Sequence, residues 1–203
     1  MKITAIKRQV KKQDRYSVFV DESYLFSLGE GQLVESGLHT GQELTETQAQ
    51  NYKKISDNGK IFDKVLNYLS YRQRTVWELR DYLRRKEASE DQTEFVIEKC
   101  VRLNLVDDEK FAKAWVQSRR LGKPTSQRKL RSELAAKRVS GTIIDSVLSD
   151  DRNESDELDI LKNLAIKKRN RYPDDTKLMQ YLARQGFNYG DIKQVLDNLD
   201  DGS

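Results

Sequence analysis

Two leucines four positions apart recur three times along this chain: Leu79 and Leu83, Leu130 and Leu134, Leu178 and Leu182. Each pair stands on one face of a helix, because 3.6 residues per turn bring positions i and i+4 together. The second and third copies continue in register. Ile144, Val147 and Leu148 match Ile192, Val195 and Leu196 at an offset of 48. The first copy ends on Ile97, Cys100 and Val101, after about four extra residues around Glu87 to Thr93. A unit of roughly 47 to 51 residues is the arithmetic of a helical repeat array. Such an array builds extended surface rather than a pocket, and so points to binding before catalysis.

Helix signals place three helices in each unit. Thr75 caps the first copy's leucine helix, with Glu78 three residues on as a capping box. Asp107-Asp108-Glu109 opens the second unit, where acids satisfy free amides and oppose the helix dipole favourably. Gly122 to Ser126 is a break, and Ser126 caps the helix of Leu130 and Leu134. Tyr172-Pro173-Asp174 breaks the third unit, and Gly186 ends its leucine helix as a C′ glycine. Tyr71, Trp77, Tyr82, Trp115 and Tyr181 lie at helical spacing and are expected to pack inside or between repeats.

The first 44 residues read differently. Ile3 to Val10, Tyr16 to Val20 and Tyr24 to Leu28 are strand-like, with Asp21-Glu22-Ser23 as a turn. A small antiparallel sheet is predicted, too short to hold a core alone and therefore packed on helices. Gly29, Gly31, Gly37 and Gly41 suggest a loop-rich stretch beyond it. A helix is expected from Glu46 to about Ile55, broken by Asp57-Asn58-Gly59. The fold class is mainly α: a β-rich domain over 1–59 with one helix, then three-helix repeats over 60–106, 107–153 and 154–200. Asp150 to Glu157 reads as the most linker-like stretch, and 201–203 as a disordered tail.

Catalytic signals are weak. The one histidine, His39, lies in the glycine-rich segment without an acid or nucleophile nearby and reads as a surface or turn residue. Gly122-Lys123 lacks the earlier glycine and the following Ser or Thr of a phosphate loop. Asp107 and Asp108 read as helix caps rather than metal ligands. The single Cys100 excludes an internal disulfide and reads as a core thiol. No zinc set, metal or cofactor is expected. Neither a signal peptide nor a membrane span stands out, so a cytoplasmic protein is expected.

Charge carries more information. The net charge is +4, but residues 61–150 hold nineteen bases against fourteen acids. Arg72, Arg74, Arg80, Arg84 and Arg85 surround the first leucine helix. Arg119, Arg120, Lys123, Arg128, Lys129, Arg131, Lys137 and Arg138 surround the second, with Glu133 as the single acid between Arg119 and Arg138. Lys162, Lys167, Lys168, Arg169 and Arg171 precede the third. A lone base on a helix face is ordinarily solvation. Eight like charges against one acid repel one another unless a partner compensates, so this cluster is the candidate contact with nucleic-acid phosphates or an acidic protein. The strands carry no RNA-recognition aromatic signature, and direct base reading is not expected.

Four stretches stand in order along the chain: Leu69-Ser70-Tyr71-Arg72-Gln73-Arg74-Thr75-Val76-Trp77-Glu78-Leu79 with Tyr82-Leu83 and Lys86; Leu105-Val106-Asp107-Asp108-Glu109-Lys110-Phe111-Ala112 with Trp115-Val116 and Arg119; Gly122-Lys123-Pro124 with Leu130 and Glu133-Leu134; and Lys177-Leu178 with Tyr181 to Phe187 and Ile192, Val195 and Leu196. Together they resemble the RecX family of bacterial regulators of the RecA recombinase. Residues 1–60 resemble the N-terminal extension of the longer, Gram-positive members. Where many members place a glycine after the basic residue of the second repeat, this chain has Lys137-Arg138-Val139 and a glycine only at Gly141. The resemblance implies a curved array of three three-helix repeats and no enzymatic activity. A monomer without cofactors or membrane association is expected, and the resemblance implies that it lodges along the groove of the RecA filament on single- or double-stranded DNA. It further implies that filament growth, ATP hydrolysis and strand exchange in recombination, DNA repair and the SOS response are restrained. The competing reading is a phosphate-driven DNA-binding protein that acts independently of RecA.

Overall fold

The structure, a computed structural model, describes residues 1–154 and 156–200. The predicted tail at 201–203 lies outside them. Three strands, β1 (Ile3–Arg8), β2 (Arg15–Val20) and β3 (Ser23–Gly29), form an antiparallel sheet in the order β1-β2-β3. Helices follow: α1 (Glu30–Ser36), α2 (Glu46–Ser70), α3 (Val76–Arg85), α4 (Glu90–Arg102), α5 (Asp108–Gly122), α6 (Gln127–Ala136), α7 (Gly141–Glu154), α8 (Glu157–Arg169), α9 (Asp175–Arg184) and α10 (Tyr189–Asp200). The fold is mainly α, with three-helix repeats behind a small N-terminal sheet. None of the described helices is long and apolar enough to cross a membrane.

The chain divides into two compact units, residues 1–72 with 82–103, and 73–81 with 104–203. In the first unit, Asp21 and Glu22 take left-handed φ of 48° and 66° at the β2–β3 turn, which suits the strand twist. Ile3, Val18, Val20, Phe26 and Leu28 fill the sheet's core face with Leu38 and Leu44, and Phe26 stacks on Tyr52 of α2 at 5.4 Å. The glycine-rich stretch is not all loop, since α1 occupies part of it.

The predicted break at Asp57-Asn58-Gly59 does not occur: α2 runs unbroken for 25 residues, and the 59/60 boundary falls inside it. Gly59 serves a close approach instead. A Cβ there would stand 3.3 Å from Gln32 Oε1 and 3.5 Å from the Arg15 guanidinium. Arg15 is buried and pairs with Asp63 at 2.8 Å, while its Nη2 donates to the carbonyls of Ser27 and Ser56. The glycine makes room for this cation between sheet and helix.

In the second unit each repeat buries its own cluster. Phe111, Ala112, Val116, Leu130, Leu134, Val139, Ile144, Val147 and Leu148 form one. Leu161, Leu164, Ala165, Leu178, Leu182, Phe187, Ile192, Val195 and Leu196 form the other. All six repeat-defining leucines are fully buried. The first repeat's closing helix differs from expectation: Val96, Ile97 and Cys100 are buried, whereas Val101 is 47% exposed. Tyr71 is likewise 75% exposed rather than packed. Burial raises the Cys100 thiol to about 11, against a smaller opposing pull from Lys99, so it stays protonated.

The middle helix of every repeat ends alike. Four residues after its second leucine stand Glu87, Arg138 and Gly186, with left-handed φ of 57°, 59° and 92°. In the first two copies the next amide, of Ala88 or Val139, donates back to the carbonyl of Leu83 or Leu134. This is the Schellman closure. The chain's departure at Lys137-Arg138-Val139 is absorbed because Arg138 itself adopts the conformation that a glycine takes freely.

Candidate binding surface

Four of the predicted contact residues turn inward: Arg119 and Arg120 tie the second repeat together, and Lys129 and Lys137 join it to its neighbours. Arg120 grips Asp151 through two hydrogen bonds, its Nε at 2.9 Å, and its Nη1 donates to the Thr125 carbonyl at 2.6 Å. Asp151 falls in the stretch read as a linker, yet it is buried and α7 runs on to Glu154. Residue 155 lies outside the described residues. Arg119 Nε donates to Glu133 at 2.8 Å and its guanidinium lies over Trp115, whose indole N–H meets the same carboxylate. The lone acid of the basic stretch is therefore consumed internally.

Two joints use equivalent acceptors, the carbonyls three residues after each second leucine, though the donor threonines differ by one position in register. Thr75, before α3, donates from Oγ1 to the carbonyl of Lys137 at the end of α6. Thr125, before α6, donates from Oγ1 to the carbonyl of Gln185 at the end of α9. Lysines reinforce both. Lys137 Nζ reaches Glu78 at 3.0 Å, and Lys129 Nζ donates to the Arg184 carbonyl at 2.7 Å. The amino ends of α3 and α6 thus meet the carboxyl ends of α6 and α9, an arrangement that the helix dipoles favour. Gly186 permits the second joint, because a Cβ there would overlap Ser126 Oγ and stand 2.8 Å from Lys129 Cβ.

Asp108 extends the first joint. Its carboxylate accepts from the Val76 amide at 2.8 Å, while Asp107 caps its own helix through the amides of Glu109 and Lys110. Burial raises the Asp108 pKa, and the charges of Asp107 and Glu78 push it the same way. A carboxyl whose folded pKa is raised opposes folding while ionised. That penalty fades as pH falls through the raised value. Asp108→Asn keeps the acceptor and loses the charge, so it is expected to be neutral or stabilising at pH 7. Asp108→Ala leaves the Val76 amide unmet and is expected to cost about 1–3 kcal/mol. Urea titrations of both check this. The gap between Asp108→Asn and the parent should close on acidification, and a constant gap would contradict the reading.

Most of the remaining bases face outward. Lys123 and Arg128 are exposed, and Arg131 pairs at the surface with Asp145 at 2.6 Å. Arg128 and Arg131 line a groove of about 820 Å³ together with Gly186, Asn188, Tyr189 and the acids Glu157 and Asp191. Arg138 lies over Trp77, Arg171 over Tyr172, and Lys168 near Tyr181, all within 6.0 Å of the ring centres. Arg169 pairs with Asp175. Lys167, Arg72, Arg84 and Arg85 are exposed, whereas Arg74 and Arg80 are partly buried. His39 is exposed between α1 and α2. The sequence reading missed Tyr189, 65% exposed at the groove. Its only sequence signal was its place just after Gly186-Phe187.

Side chains displayed on the faces of tandem three-helix repeats define a helical-repeat scaffold. Family models described as the first, second and third three-helix domains of RecX match residues 62–100, 107–148 and 154–196. A model of the regulatory protein RecX N-terminal domain matches residues 1–45. The chain belongs to the RecX family of regulatory proteins. It is 34% identical over 151 residues to regulatory protein RecX of Halalkalibacterium halodurans, covering 72% of this chain and 57% of the relative. It is 31% identical to that of Listeria monocytogenes over 192 residues, covering 92% and 71%. The Bacillus pumilus protein is 31% identical over 205 residues, with coverage of 98% and 78%. A crystal structure of regulatory protein RecX superposes with a TM-score of 0.77 at 27% identity, over 97% of this chain and 98% of that one. The RecX structure from Lactobacillus salivarius gives 0.60 at 29%, over 71% and 97%.

Proposed function

We propose that this chain is a non-catalytic regulator that binds a RecA recombinase filament on DNA and restrains its growth, ATP hydrolysis and strand exchange. Kinship with proteins named regulatory protein RecX supports the reading. The structural observation that carries it is an outward set left after the joints are satisfied: exposed Lys123, with Arg128 and Arg131 lining one groove of the second unit. A tandem scaffold can touch several protomers of a helical polymer at once, so modest contacts sum to high avidity.

Single-stranded-DNA-dependent ATP hydrolysis by the recombinase tests this. Lys123→Glu with Arg128→Glu is expected to raise the concentration for half-inhibition by about tenfold, equivalent to about 1.4 kcal/mol, with unchanged helicity. Lys129 is unsuitable for the test because it holds a joint. Unchanged inhibition would remove this face from the contact. Equal binding to naked and recombinase-coated DNA, with a steep salt dependence, would favour an independent phosphate-driven binder instead.

A further inference from the structure

We propose that the outward face of the N-terminal sheet is a second binding site, a stacking platform for single-stranded nucleic acid. Cross-strand partners share a face, and here Ala5 pairs with Phe19, Phe19 with Tyr24, and Lys7 with Ser17. The core takes the opposite face through Val18, Val20, Phe26 and Leu28. Phe19 and Tyr24 meet edge to face with ring centres 6.1 Å apart, and Tyr24 is 49% exposed. Lys7 Nζ lies 5.4 Å from the Phe19 ring centre.

Charge selects the occupant. Residues 1–20 hold six bases, Lys2, Lys7, Arg8, Lys11, Lys12 and Arg15, against Asp14 alone. Buried Arg15 and exposed Lys12 are committed to Asp63. Lys7, Arg8 and Lys11 remain exposed at the β1–β2 hairpin. Asp21 and Glu22 sit at the opposite end of the sheet, so a polyanion would track toward the hairpin while its bases reach the aromatic pair. Aromatic rings beside a basic track are what an unpaired strand requires, since every base offers a π-face. A duplex keeps its base faces stacked inside and gains nothing from the rings.

The site is independent of the filament reading, because it predicts binding without recombinase. Fluorescence anisotropy of the full chain with a labelled oligothymidylate, and with an abasic oligomer of equal length, tests it. Tyr24→Leu and Phe19→Leu are each expected to weaken oligothymidylate binding by about fivefold or more and to leave the abasic oligomer unaffected. Lys7→Glu should lower the log–log salt slope by about 0.7. Unchanged oligothymidylate affinity would overturn the proposal, as on a surface that serves a protein partner instead. Equal losses on both oligomers would overturn it too, leaving a site of charge alone. If Phe19→Leu fails to fold, Tyr24→Leu decides, because its ring is half exposed.

Discussion

Arg120→Ala is expected to destabilise the second unit by about 3–5 kcal/mol, the cost of stripping one partner from a buried ion pair. Asp151 is 8% exposed and receives two hydrogen bonds from Arg120. Alanine leaves that carboxylate buried and unpaired. It also removes the donor to the Thr125 carbonyl, whose own residue holds the joint with Gln185. Replacing both partners with apolar residues, Arg120→Met with Asp151→Leu, should recover most of the loss, because the desolvation cost disappears with the charges. The exposed pair of Arg131 and Asp145 provides the contrast. Arg131→Ala should cost only about 0.2–1 kcal/mol. Urea titrations of the three variants measure this series. Arg120→Ala losses no larger than those of Arg131→Ala would show that water reaches the pair.

The same arginine marks where the sequence stopped being readable. Local features were legible: the leucine faces, the caps at Thr75, Asp107 and Ser126, and the C′ glycine at Gly186. Each depends on residues within one or two turns. The small antiparallel sheet was legible for a similar reason, since its strands follow one another through short connections. Arg120 was read as contact surface because its partner lies 31 positions away and that region looked like a linker. Gly59 was read as a helix break because the Arg15 side chain it accommodates comes from a strand 44 positions earlier. Exposure of Tyr71 and Val101 escaped the helical period because that period gives a face, not what covers it. The candidate surface was thus visible as a region. Its division into joint-forming and outward-facing bases required the tertiary structure.

Gly186→Ala is expected to cost about 2–5 kcal/mol, by two effects. One is conformational: a side chain at φ 92° is strained, by about 1–2 kcal/mol for the left-handed region. Glu87 and Arg138 show that this chain sustains a side chain at the equivalent position of the other repeats, near φ 58°. The second effect belongs to Gly186 alone. Its new Cβ would overlap Ser126 Oγ and press on Lys129 Cβ, an overpacking cost of about 1–3 kcal/mol. A double-mutant cycle isolates the Ser126 contact. Ser126→Ala alone loses the cap on the Lys129 amide, about 1 kcal/mol. Combined with Gly186→Ala it removes the clashing oxygen, so the pair should cost less than the sum of the singles. Additive losses in urea titration would show that Ser126 Oγ contributes nothing, leaving φ and the Lys129 contact. Gly186 and Arg128 line the same groove, so on the proposed function a folded Gly186→Ala chain should also lose recombinase inhibition.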